Sequence, residues 1–100
     1  MNFGGIIKEN KMATKIYIIT LEGEPQVAYT DFGKVEDECF KWLDEHRNDW
    51  QVERDYFYWE EDRDYPNTEE GEEQAWEDYK TEVVNNGTWG DYAWYECFLK

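Results

Sequence analysis

The side chains able to do chemistry in this chain are almost all carboxylates: 25 Asp and Glu accompany one histidine, two cysteines and no serine. Without serine there is no serine nucleophile and no triad built on one. A Cys–His pair is the nucleophilic arrangement left, and Cys39 and His46 are seven residues apart. On a helix that is about 10.5 Å along the axis, beyond hydrogen-bond reach, so His46 reads as a boundary residue. Two Cys and one His do not complete a four-ligand zinc site. Asp62-Arg63-Asp64 opens like a calcium loop, but Pro66 and Asn67 stand where an EF-hand needs its glycine. The glycines are scattered among turns and caps and form no phosphate cradle. A glycosidase needs two carboxylates at a fixed separation, but also a deep sugar cleft, for which 100 residues leave little room. The expectation is a protein that binds rather than catalyses, with no cofactor and no metal.

The carboxylates are unevenly placed. From Glu36 to Glu82 nineteen of them meet five bases (Lys41, Arg47, Arg54, Arg63 and Lys80), a net −14 out of the formal −15. Such a field repels nucleic acid and anionic membranes and attracts basic surfaces over about a Debye length. The densest part is Glu60, Glu61, Asp62 and Asp64, followed by Glu69, Glu70, Glu72, Glu73, Glu77 and Asp78. A helix dipole favours acids in the first turn, which accounts for Glu69 and Glu70 but not for the remainder. Like charges at this spacing repel one another, and a small domain that keeps them is expected to use them. These ten acids, with Tyr65 and Trp76 among them, are the candidate partner-binding residues.

Those residues need elements to hold them. Lys15 to Leu21 is β-branched and apolar on both faces, as an interior strand would be. Glu22-Gly23-Glu24-Pro25 is a turn, and Gln26 to Tyr29 returns as a hairpin partner. Asp31 is placed to cap a helix on which Val35, Cys39, Trp42, Leu43 and His46 form one apolar stripe. Val52 to Trp59 has the composition of a strand, and Glu60 to Thr68 reads as an acidic loop. Asn67 and Glu70 have capping-box spacing for a second helix, with Gly71 weakening its first turn. That helix places Trp76, Tyr79 and Val83 on one side and stops at Asn85-Asn86-Gly87. Tyr92 to Leu99 is a last strand. The predicted class is α+β, a single small domain of order β-β-α-β-α-β, with an antiparallel or mixed four-stranded sheet and two helices on one face.

Acidity this strong with few aromatics would mean disorder. Here 19 of 100 residues are Phe, Tyr or Trp, and each ring removes roughly 150–250 Å² from water when buried, so one core forms and a second does not fit. The two cysteines suggest free thiols rather than a disulfide framework. No apolar run approaches the ~20 residues of a membrane span, and the start lacks a secretory pattern, which points to the cytoplasm. Residues 1–11 read as a translated leader, because Met12-Ala13-Thr14-Lys15 opens the first strand as a natural start would. The folded domain is then 12–100.

In size, charge and aromatic content, over Glu36 to Glu82 above all, the chain resembles the small acidic inhibitors that bacteriophages make against restriction and CRISPR enzymes, several of which are DNA mimics. The resemblance implies a phage-encoded inhibitor that sets a DNA-mimicking carboxylate surface in the basic groove of a host nucleic-acid-binding enzyme, in the host cytoplasm. Its partner would be a basic protein surface, without direct binding of nucleic acid or membrane. The other reading is an interaction module or homodimer that works through its aromatic surface, or through Tyr92–Leu99 if that strand lies at a sheet edge.

Overall fold

A computed structural model describes residues 14–99; the expected leader, 1–11, lies outside the described residues. The strands are β1 (Thr14–Leu21), β2 (Glu24–Tyr29), β3 (Thr88–Trp89) and β4 (Tyr92–Leu99), and the helices are α1 (Phe32–Glu45), α2 (Trp50–Glu60) and α3 (Glu69–Asn86). All pairings are antiparallel and the sheet order is β2-β1-β4-β3. The domain is α+β, as expected, with element order β-β-α-α-α-β-β rather than β-β-α-β-α-β.

The opening hairpin turns on Glu22 and Gly23, both with positive φ (52° and 87°). This tight turn matches the right-handed twist of the strands it joins. It is shorter than the four-residue turn expected, and Glu24 and Pro25 belong to β2. Side chains alternate across the sheet, so Tyr17, Ile19, Tyr92 and Trp94 share one face, and all four pack on the core. Tyr17, Phe32 and Trp94 meet edge to face, with centroids 4.9–5.8 Å apart. Asp31 caps α1 as expected, its carboxylate accepting from the Gly33 N–H at 2.9 Å. Val35, Cys39 and Leu43 on that helix are buried. Cys39 and Cys97 are both free thiols, and burial pushes the Cys39 thiol up to about 12.

Residues 52–59 form a helix and not a strand. Val52, Tyr56 and Trp59 recur at i, i+4 and i+7, and α3 offers them a surface: Tyr56 meets Trp76 and Tyr79 edge to face, with centroids 5.3 Å apart in both pairs. Aromatic content argued for a strand, but only Val52 in that run is β-branched, and docking decided the period. Thr68 rather than Asn67 caps α3: its Oγ1 accepts from the Gly71 N–H at 3.0 Å. Gly71 does not loosen this turn. It is buried, and a Cβ there would overlap the Pro66 carbonyl, so glycine is what lets the loop lie against the helix. At the far end Gly87 ends α3 at φ 96°, as its position after Asn85-Asn86 predicted.

α1 and α3 are clamped by one buried cation. The Lys80 side chain is 5% exposed, and its ammonium lies 3.0 Å from Asp44 and 2.9 Å from Glu77, beside the Phe40 and Trp76 rings. Burial disfavours the charged amine, but the two carboxylates prevail and raise its pKa. Burial likewise works against the Asp44 carboxylate, and hydrogen bonds from Trp76 and Lys80 outweigh it and lower its pKa.

Candidate functional site

The acid-rich loop and the start of α3 project from the α2–α3 hairpin. Glu61, Asp62, Asp64, Glu69, Glu70, Glu72, Glu73 and Glu77 are exposed, whereas Glu60, Tyr65 and Asp78 are half-buried. Trp76 does not belong to this surface. It is 2% exposed, donates from Nε1 to Asp44 at 2.8 Å and fills the core. Its spacing with Tyr79 and Val83 already marked the inner side of α3, and the acids around it only share its stretch of sequence.

Neutralisation is scant. Among the described residues, Glu77 is the only one of the ten candidate acids with a cationic nitrogen within 4 Å, and that nitrogen belongs to buried Lys80. The three arginines of the acidic stretch lie over tryptophans, and among the described residues only Arg54 also meets an acid, its neighbour Asp55 at 3.4 Å, which is not one of the ten. Arg47 is 4.5 Å from the Trp76 ring, Arg54 4.9 Å from Trp50 and Arg63 4.1 Å from Trp59. The weakly hydrated guanidinium suits such stacking. Arg63 also donates from Nη1 to the Trp59 carbonyl at 2.5 Å, so the one base in the loop folds back onto α2.

The loop is pinned rather than loose. Trp59 stacks on Tyr65 with centroids 6.1 Å apart, and the Tyr65 hydroxyl donates to Asp78 at 2.6 Å. Gln74 donates to the other Asp78 oxygen at 2.8 Å. Tyr65, expected to contact a partner, therefore spends its hydroxyl on holding the loop to α3. Along the first ten residues of α3, six carboxylates occupy about 15 Å of axis, one per about 2.5 Å, against about 3.4 Å per charge on one strand of B-DNA.

Glu60 and Glu72 face each other across α2 and α3. Burial first, then repulsion from Glu72, raises the Glu60 pKa, while Tyr56 donates to Glu60 at 3.2 Å and partly offsets it. Two neighbouring carboxylates, one of them holding a tyrosine hydroxyl, have the parts of an acid–base pair. They border an open cleft of about 260 Å³, lined also by Phe57, Arg63 and Tyr65, which is smaller than the ~300 Å³ where ligand pockets begin. Solvent reaches both groups, and the arrangement suits contact with another surface better than enclosure of a substrate.

Comparison with known proteins finds no matching family model, no matching curated protein and no matching solved structure.

The surface holds three more large rings outside the candidate partner-binding residues. Trp50, Phe57 and Tyr58 are 66%, 59% and 60% exposed. At i, i+7 and i+8 they line the outer side of α2 with Arg54, opposite buried Val52. Read as a strand, Val52 to Trp59 alternates its side chains between two faces and hides this stripe; a helical count from Trp50 would have found it. Large exposed rings beside a charged rim are the composition of an interface core.

Proposed function

We propose that this protein is an inhibitory binding protein that sets the α2–α3 carboxylate surface into the Lys/Arg-lined nucleic-acid groove of a host defence enzyme, as a phage-encoded DNA mimic in the host cytoplasm. The observation that carries the proposal is the lack of neutralisation: eight of the ten candidate acids are exposed, among the described residues only Glu77 of the ten has a cation within 4 Å, and Arg47 and Arg63 lie over tryptophan faces. Rigid presentation supports it, because a carboxylate surface held by Thr68, Tyr65 and Gly71 loses little freedom on docking. Electrostatic attraction gives fast association, and release of counterions from both surfaces favours the complex.

The test is capture of partners from a bacterial lysate at low salt, followed by elution with duplex DNA. A quadruple variant (Glu61→Gln, Glu69→Gln, Glu70→Gln, Glu73→Gln) should lose the partner, which DNA and salt should also displace. A partner that stays bound in high salt and excess DNA, or binds the variant equally well, would refute the mimic. The exposed Trp50, Phe57 and Tyr58 favour a second reading, in which the aromatic stripe is the contact and the acids only its rim. In that case Trp50→Ala with Tyr58→Ala abolishes binding and the quadruple Gln variant does not.

A further inference from the structure

The two edges of the sheet are built differently. β2 is blunted as natural edges are, with Glu24, Pro25 and an irregular register at Ile19/Thr20. β4 pairs with β1 along its whole length, but β3 covers only Tyr92 and Ala93, and Trp94 donates to the Gly87 carbonyl at 3.0 Å. The strand is thus inside the sheet at its start and a bare edge at its end. Among the described residues, nothing pairs with the outer side of Tyr95–Leu99. Because the backbone N–H of Trp94 faces the edge, alternation aims the N–H and C=O groups of Glu96 and Phe98 outward too. This edge carries neither Pro nor Lys, and Tyr95, Phe98 and Leu99 are three of the large apolar side chains left exposed.

We propose that this edge is a self-association site: a second copy of the chain pairs its Tyr95–Leu99 segment antiparallel to the first, about a two-fold axis at Cys97. The register follows from the residues. Centred on Cys97, Glu96 lies opposite Phe98 of the second copy, and the two outward residues exchange both backbone hydrogen bonds, four in all across the axis. Tyr95 faces the second copy's Leu99, an aromatic–aliphatic pair on the sheet face away from the helices. Centring on Glu96 instead would set two glutamates directly against each other. Pairing on Cys97 consumes the five open residues and stops where Gly87 already occupies the ladder.

The near-neutral, uncharged surface around this edge fits a second copy of the chain better than a basic partner. Residues outside Glu36–Glu82 sum to −1, six acids against five bases, so a basic partner has little to attract it here. The face of β1 and β4 away from the helices carries Thr14, Ile16, Ile18, Thr20, Ala93, Tyr95, Cys97 and Leu99, none charged, and would run unbroken through the paired sheets. Two molecules of −15 still repel at long range, so salt strengthens this contact. Salt weakens the acid-to-base contact proposed above, and the two ideas therefore fail separately.

The test is sedimentation of the full chain over a wide concentration range at low and high salt. The mass is expected to double with concentration, and to do so earlier in high salt. Phe98→Pro deletes an outward N–H and leaves the β1 ladder intact. Loss of two hydrogen bonds, one per copy, weakens dimerisation by about tenfold or more. Tyr95→Lys, an edge lysine, acts the same way without proline. In the native chain the Cys97 pair is non-hydrogen-bonded, with Cα atoms about 4.5 Å apart, within the about 4.4–6.8 Å that a disulfide spans. Diamide, which takes up the two thiol hydrogens, should yield a covalent dimer that Cys97→Ser abolishes and Cys39→Ala does not. A monomer under all conditions, a dimer unchanged in both Phe98→Pro and Tyr95→Lys, or a dimer that diamide cannot link through Cys97 overturns the proposal.

Discussion

Gly71→Ala sets local helix chemistry against tertiary packing, and the two predict opposite signs. Gly71 is the third residue of α3, after the Thr68 cap. Helix propensity alone makes alanine there more stable by up to about 1 kcal/mol. The structure reverses this, because the added Cβ would overlap the Pro66 carbonyl and press on the Pro66 ring. The obstacle is backbone and has no rotamer to escape into. Overpacking of this kind costs about 1–3 kcal/mol, at its upper end when backbone must move. Net of propensity, the variant should be destabilised by about 1–2 kcal/mol, which at this chain length lowers the Tm by roughly 4–16 °C. Urea and thermal unfolding followed by tryptophan fluorescence read the change directly. The displaced segment is the acidic loop, so Trp59 and Tyr65 should separate and native-state fluorescence should shift as well. A variant as stable as the parent, or more so, would show that the loop does not rest on α3 as described.

Two further outcomes follow from named contacts. Thr68→Ala removes the acceptor for the Gly71 N–H and should cost about 1 kcal/mol in urea unfolding, whereas Asn67→Ala, predicted from the sequence to remove the cap, should be nearly silent. Glu60→Gln should stabilise the fold at neutral pH but not in acid. The folded pKa of Glu60 is raised, so stability is greatest while the group is protonated in both states and falls as pH rises from about 4.5 through the folded value. Solvent screening limits the gain to about 0.2–1 kcal/mol, and parallel melts at pH 3 and pH 7 would show it at pH 7 alone.

The acid-rich stretch illustrates how far the sequence reaches toward the site. That Glu61 to Glu77 lie on a loop and a helix start was readable, because Pro66, Asn67 and the run from Glu69 punctuate the chain. Which rings stand beside them was not. Tyr56, Trp59, Trp76 and Tyr79 interlock in the core, while Trp50, Phe57 and Tyr58 face water. Aromatic residues serve cores and interfaces equally well, and only the period of α2 separates the two groups. That period was misjudged because a short aromatic run is compatible with a strand until a partner surface selects one face.

By itself the sequence determined the class of the fold, the opening hairpin strands, the Asp31 and Gly87 caps, the apolar stripe of α1 and the placement of nearly all the charge between Glu36 and Glu82. These are local matters: periodicity, cap chemistry and composition act within a few residues and need no distant partner. Tertiary structure alone decided that residues 52–59 are helical, that Gly71 is demanded by Pro66, that Lys80 is a buried clamp and that Arg47 lies over Trp76. It also decided that β4 is covered at its start and bare at its end. Each of these depends on which residues remote in sequence come into contact, and the free energy of those contacts exceeds the small local preferences that the chain carries on its own.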